Sequence, residues 1–159
     1  MRLGVISDTH IPMNASVLPP EINTVFKNVD RILHAGDIES ESVLIELESI
    51  APVTAVAGNM DVQLHQLPHK REFRVGDYWI GLIHGAGVPR NCIREAIRRE
   101  FNKANIIVYG HTHQAYWDKE SSVWFMNPGS ATDLKIAGYR SVGILEIGNG
   151  TLRGEIIRL

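Results

Sequence analysis

Five short apolar runs in this chain each stop at a small or polar residue and hand over to a side chain able to bind a metal. "LGVI" leads into Ser7-Asp8-Thr9-His10, "RILHA" into Gly36-Asp37 and "VTAVA" into Gly58-Asn59. "YWIGLI" leads into His84-Gly85, and "NIIVY" into Gly110-His111-Thr112-His113. Runs of this length bounded by glycine read as strands. In open α/β sheets, sites gather where loops leave the carboxyl ends of strands. The pattern therefore predicts a strand scaffold that delivers imidazole, carboxylate and amide groups to one place. Asp8 with His10, and His111 with His113, share an i, i+2 spacing. Side chains so spaced share one face of extended backbone, so each pair is expected to converge through an extended segment.

Helices are expected between the runs. "SESVLIELESI" sets Val43, Leu44, Leu47 and Ile50 on one stripe with Ser40 or Ser42 as N-cap. "RNCIREAIRREF" does the same with Ile93, Ala96, Ile97 and Phe101, turning Arg94, Arg98 and Arg99 outward. Pro19-Pro20 precedes a shorter first helix. After residue 113 the texture becomes "AYWDK", "SVWFM", "RSVGILEIG" and "LRGEIIRL", read as a β-meander with a hairpin turn at Asn149-Gly150. "LHQLPHKREFRVGDYW" reads as a long surface loop ending in a hairpin around Gly76-Asp77. The reading is α/β followed by a meander.

With 159 residues, 44% hydrophobic and 21% charged, one domain over residues 1–159 is expected. No apolar run is long enough to span a bilayer. A net charge of -2 gives no global attraction to polyanions, which leaves nucleic acid as a substrate only. A lone Cys92 cannot form an internal disulfide, and "MRLGVISDTH" lacks a signal-peptide core, so a cytoplasmic location is expected.

Mixed imidazole, carboxylate and amide ligands without thiolate suit Mn, Fe, Zn, Co or Ni at a hydrolytic centre better than a structural zinc site or an all-oxygen calcium site. Seven side chains exceed one four-coordinate ion that also holds water. Sharing one carboxylate lets them serve two ions, and Asp37, alone in its motif and able to offer two oxygens, is the expected bridge.

The ordered series Asp8-Thr9-His10, Gly36-Asp37, Gly58-Asn59, His84-Gly85 and Gly110-His111-Thr112-His113 resembles the calcineurin-like metallophosphoesterase superfamily. The chain length, "HAGD" and "NPGS" resemble its small prokaryotic phosphodiesterase branch, itself similar in fold to a eukaryotic retromer scaffold subunit. The resemblance implies a four-layer α/β fold, a two-sheet β-sandwich flanked by helices, with the metals at one edge. It implies one metal held by Asp8, His10, Asp37 and His113, and another by Asp37, Asn59, His84 and His111. Manganese is the expected metal at both. The implied function is phosphodiester hydrolysis by a metal-bridging hydroxide attacking phosphorus in line, with Asp37, Asn59 and His84 as the catalytic residues. The expected substrate is a small phosphodiester, nucleotide-derived ones included. The alternative is an interaction scaffold like the retromer subunit, for which an intact ligand set is not needed.

The chain departs from the family pattern in three places. Met60 follows Asn59 where larger members carry a histidine that assists the leaving group. Ala86-Gly87 follows Gly85 where a second histidine is frequent, and Ala131-Thr132-Asp133 follows "NPGS" where Pro-Arg is common. Other residues have plainer readings: His34 as a buried or ligand-orienting histidine, Asp61 as an exposed or loop-capping aspartate, Cys92 as helix packing. The tryptophans read as packing, the "REAIRRE" arginines as a solvated face, and Asn127-Pro128-Gly129-Ser130 as a structural turn near the site.

Overall fold

A computed structural model describes all residues from Met1 to Leu159. Alternation along the strands decides the layering, because successive side chains point to opposite faces of a sheet. In β1 (Arg2–Ile6), Leu3 and Val5 enter the central core while Ile6 faces the opposite cluster. In β6 (Ile106–Val108), Ile106 and Val108 face the centre and Ile107 faces away. Both faces of these strands are buried, which explains why they read as continuous apolar runs.

The first sheet, with β2 (Arg31–His34), β3 (Val53–Ala55), β9 (Ser141–Gly148) and β10 (Thr151–Arg158), has the order β10-β9-β1-β2-β3, and β2 and β3 run parallel to β1 and β2 respectively. The second has the order β4-β5-β6-β8-β7, in which β5 (Tyr78–Ile83), β6 and β8 (Val123–Asn127) run parallel. Edge strands β4 (Lys70–Val75) and β7 (Tyr116–Glu120) pair antiparallel to their neighbours. The sheets pack face to face through Leu3, Val5, Leu33 and Leu145 from one and Ile80, Leu82, Ile106 and Met126 from the other.

Helices cover the two outer faces. α1 (Glu21–Val25) and α2 (Glu41–Glu48) lie on the first sheet, and α3 (Ile93–Arg98), entered through a 3-10 turn at Arg90–Cys92, lies on the second. Each outer face takes a phenylalanine at a strand glycine. A Cβ on Gly4 would stand 2.9 Å from Phe26, and one on Gly81 would stand 2.8 Å from Phe101. The predicted four-layer α/β sandwich is the observed architecture. Ser40 is the α2 cap, its Oγ accepting from Ser42 N at 3.3 Å, a contact worth about 1 kcal/mol. Asn149 and Gly150, both at positive φ, form the predicted hairpin turn between β9 (Ser141–Gly148) and β10 (Thr151–Arg158).

Three expectations need correction. The long surface loop is shorter, because Lys70–Val75 forms β4 by pairing with β5, which already has a neighbour only on its other side. The meander after residue 113 is divided: β7 and β8 join the second sheet, while β9 and β10 return to the first against β1. Arg94 does not point to solvent. It is half-buried, paired with Glu120, and its guanidinium lies 4.3 Å from the Tyr116 ring centroid, tying α3 to β7. No helix is long and apolar enough to cross a membrane.

Candidate metal centre

Parallel pairing puts the carboxyl ends of β1, β2 and β3 on one edge of the first sheet, and those of β5, β6 and β8 on one edge of the second. Asp8 and His10 follow β1, Asp37 follows β2 and Asn59 follows β3. His84 follows β5, and His111 and His113 follow β6. All seven predicted ligands are brought together.

The loops reach the site by a route that differs from the extended segments expected. β1 ends at Ile6 and β6 at Val108, and beyond them Asp8 (φ 52°), His10 (42°), His111 (67°) and His113 (57°) are left-handed. Asp37 (φ 55°) and Glu39 (72°) repeat the pattern. Left-handed backbone costs roughly 1 kcal/mol or more for a residue with a Cβ, so neighbouring contacts must hold it. They do: Asp8 N donates to Gly36 O and His10 N to Asp37 O, each at 3.0 Å. The His111 amide donates to both carboxylate oxygens of Asp8, at 3.0 and 3.2 Å.

The glycines preceding the ligands are spaces for carboxylates. A Cβ at Gly58 would lie 2.1 Å from Asp37 Oδ1, and one at Gly110 would lie 2.8 Å from Asp8 Oδ2. Each glycine thus admits an aspartate from another loop.

Contacts run through the set from end to end. His113 Nε2 lies 3.4 Å from Asp8 Oδ1 and 3.3 Å from His10 Nε2. Asp37 Oδ2 lies 3.4 Å from His10 Nε2 and 3.2 Å from His84 Nε2, so one oxygen faces both halves of the cluster. His84 Nε2 is 3.2 Å from Asn59 Oδ1, and the His84 and His111 rings meet edge to face at 5.2 Å. Asp8 belongs to two groups of converging ligand atoms, one with His10 and His113 and one with Asp37 and His84.

The Nδ1 atoms of three imidazoles are occupied. His10 Nδ1 donates to Glu39 Oε1 at 2.6 Å, His113 Nδ1 to Asp133 Oδ2 at 2.7 Å, and His84 Nδ1 to Ala35 O at 2.9 Å. These acceptors fix the proton on Nδ1 and turn each Nε2 lone pair inward. Inward-facing nitrogens, carboxylate oxygens and an amide oxygen are all acceptors. Packed this closely they require positive charge among them, and a divalent cation fits that donor set.

Titration follows the same geometry. Burial by itself would lower His84, but its bond to Asp37 and the fields of Asp8 and Asp37 outweigh burial and raise it. Burial is likewise overcome at His113, raised by Asp8 and Asp133. Asp37 is lowered, because the His84 bond and the Met60 amide outweigh its burial. His111 is lowered, first by burial and then by the neighbouring His84 and Arg90 charges.

Several supporting residues were not singled out in the sequence. Glu39, two residues beyond Asp37, carries the i, i+2 spacing of the other loops and orients His10. Asp133, read only as part of a departure after "NPGS", orients His113. Asp61 is the loop-capping kind: it is buried, accepts from Ile38 N and Glu39 N through Oδ1, and from Gly58 N through Oδ2. Asn127 joins its turn to the ligand loop by donating to Gly110 O at 2.8 Å and Thr112 Oγ1 at 2.9 Å. His34 makes no hydrogen bond to a ligand side chain. It accepts from Gly36 N and meets Thr9 Oγ1, and burial, opposed by the Asp61 and Asp8 carboxylates, lowers it to about 4.

Comparison with known proteins agrees with this geometry. The profile of the "Calcineurin-like phosphoesterase superfamily domain" matches residues 1–150. A probable metallophosphoesterase of Methanothermobacter thermautotrophicus is 40% identical over 161 residues, covering 99% of this chain and 92% of its own. A phosphodiesterase of Methanocaldococcus jannaschii is 25% identical, with 92% and 93% covered. The Vps29 structure from Entamoeba histolytica complexed with zinc superimposes with a TM-score of 0.79 at 24% identity, covering 99% of each chain, a likeness of fold. The chain belongs to the calcineurin-like phosphoesterase superfamily, whose members use divalent metal ions.

Proposed function

We propose that this chain is a metal-dependent phosphodiesterase with two divalent ions, manganese in the first instance. Asp8, His10, Asp37 and His113 would hold one ion, and Asp37, Asn59, His84 and His111 the other. The observation that carries this reading is the inward convergence of Nε2 from His10, His84 and His113 on Asp8, Asp37 and Asn59, with the opposite ring nitrogens tied back to Glu39, Ala35 and Asp133. Bound there, the ions would supply Lewis acidity toward the phosphoryl oxygens and would activate water at neutral pH.

The chain's own groups do the rest. Asn59 contributes an amide oxygen without adding a negative charge that repels phosphate, and its NH2 donates to a phosphoryl oxygen. The Arg90 guanidinium, close enough to lower His111, adds positive potential on that side. Glu39 and Asp133 keep their histidines in one tautomer and orientation. Met60 donates only its backbone N–H, to Asp37 Oδ1 at 2.9 Å, and its side chain has no proton for a leaving group. Esters with good leaving groups are therefore the better substrates. A scaffold role does not require these seven ligands, and their presence weighs for catalysis.

Chelator-treated protein should lose activity on a chromogenic diester and regain it with Mn or Ni. Equal activity before and after chelation would sink the metal mechanism.

A further inference from the structure

A cleft of about 540 Å³ adjoins the candidate metal centre, with Asn59 and His84 among its lining residues. Its wall is apolar, made by Ile83 from β5, Val88 from the loop after it, and Ala96 and Ile97 from α3. Its polar lining residues are His69, next to Lys70 at the start of β4, and Glu100 beyond α3. Lys70 Nζ occupies Glu100 Oε2 at 2.8 Å, which leaves Oε1 free to accept another hydrogen bond. Gly85, Ala86 and Gly87 also line the cleft and add almost no side chain. A Cβ at Gly87 would meet nothing within 4 Å.

The volume falls within the range of sites that enclose an organic ligand, roughly 300–1,000 Å³, and is far more than a methyl ester needs. The lining joins two candidate metal ligands, an apolar wall and a hydrogen-bond acceptor. We propose that it seats a ring-bearing ester group of the substrate: flat, apolar on its faces, with a hydrogen-bond donor on the edge that meets Glu100. A nucleobase has this chemistry. The proposal rests on the phosphodiesterase reading, since it takes the phosphoryl group to lie at Asn59 and His84. Hydrolysis then forms a phosphorus–oxygen bond to hydroxide and breaks one ester bond, and the departing alkoxide takes a proton from water.

The test compares two diesters that differ only in the ring, the methyl esters of adenosine 5'-phosphate and of ribose 5-phosphate, with manganese-loaded wild type and Ala96→Leu. Ala96 is no ligand, and leucine there fills the cleft from α3. Wild type should favour the adenosine ester by about tenfold or more in kcat/KM, mainly through KM, as apolar burial of a ring implies. Ala96→Leu should erase that preference and leave the ribose ester within about twofold of wild type, because that ester has no base to pack against the wall at Ala96. Equal kcat/KM for both esters in wild type, or an equal fall for both in the variant, overturns the cleft assignment and leaves the phosphodiesterase reading standing.

A second readout does not need turnover. Adenosine 5'-phosphate should shift the methyl resonances of Val88, Ala96 and Ile97, and ribose 5-phosphate should not. If neither ester is hydrolysed but the ring-dependent shifts occur, the cleft stands and the catalytic reading falls. Absence of ring-dependent shifts overturns the cleft.

Discussion

Asn59 offers an amide oxygen without a charge, and that separates its proposed role from those of the aspartates around it. Asn59→Asp keeps an oxygen for metal but adds a negative charge and removes the NH2 proposed to donate to phosphate. Kinetics should show kcat/KM on a diester down by about tenfold or more while the metal dissociation constant changes less. Parent-like turnover would remove the assigned role. Asp133 acts through His113, whose Nδ1 it holds at 2.7 Å. Asp133→Asn should weaken metal binding by about 10- to 100-fold in calorimetric titration, as removal of such orienting partners does elsewhere. Unchanged affinity would make the contact incidental.

At the scale of elements, the strand ends and the convergence of the candidate ligands after them were legible because a glycine-bounded apolar run reports both burial and a turn. The path of the loops was not. Extended backbone was expected to pair Asp8 with His10 and His111 with His113, yet the strands stop at Ile6 and Val108 and the residues beyond are left-handed. Asp8 and His10 even so join one ligand group, with His113, whereas His111 meets His84. Glu39 and Asp133 stayed hidden because each gains meaning only from a histidine far away in sequence. The meander was legible as strands, but its division between sheets depends on β9 pairing with β1, a long-range choice that local pattern does not encode. The glycine of the Gly58-Asn59 pair is a packing residue for Asp37, so Gly58→Ala tests loop fit: metal affinity should fall by about tenfold or more, with ~1–3 kcal/mol of stability lost to overpacking. Wild-type metal affinity in a folded Gly58→Ala protein would refute this.

For the whole molecule, four layers bury three core clusters and converge two sheet edges on one site. His34 lies fully buried in β2 beneath that site, and its pKa is lowered from 6.5 to about 4 by burial. Because the folded state resists protonating it, the unfolded chain binds more protons between those values. Stability from this group is complete above pH 6.5 and is lost as pH falls toward 4, with no further loss below. The shift corresponds to about 3 kcal/mol. Chemical unfolding of chelated protein at pH 7 and pH 4 should show wild type losing about that much more than His34→Asn; equal losses would exclude His34 as the source. The most direct test of the whole account is anomalous diffraction from manganese-loaded crystals. Two peaks per chain are expected with Asp37 between them, one against Asp8, His10 and His113 and the other against Asn59, His84 and His111. A single peak, or peaks away from these residues, would contradict this.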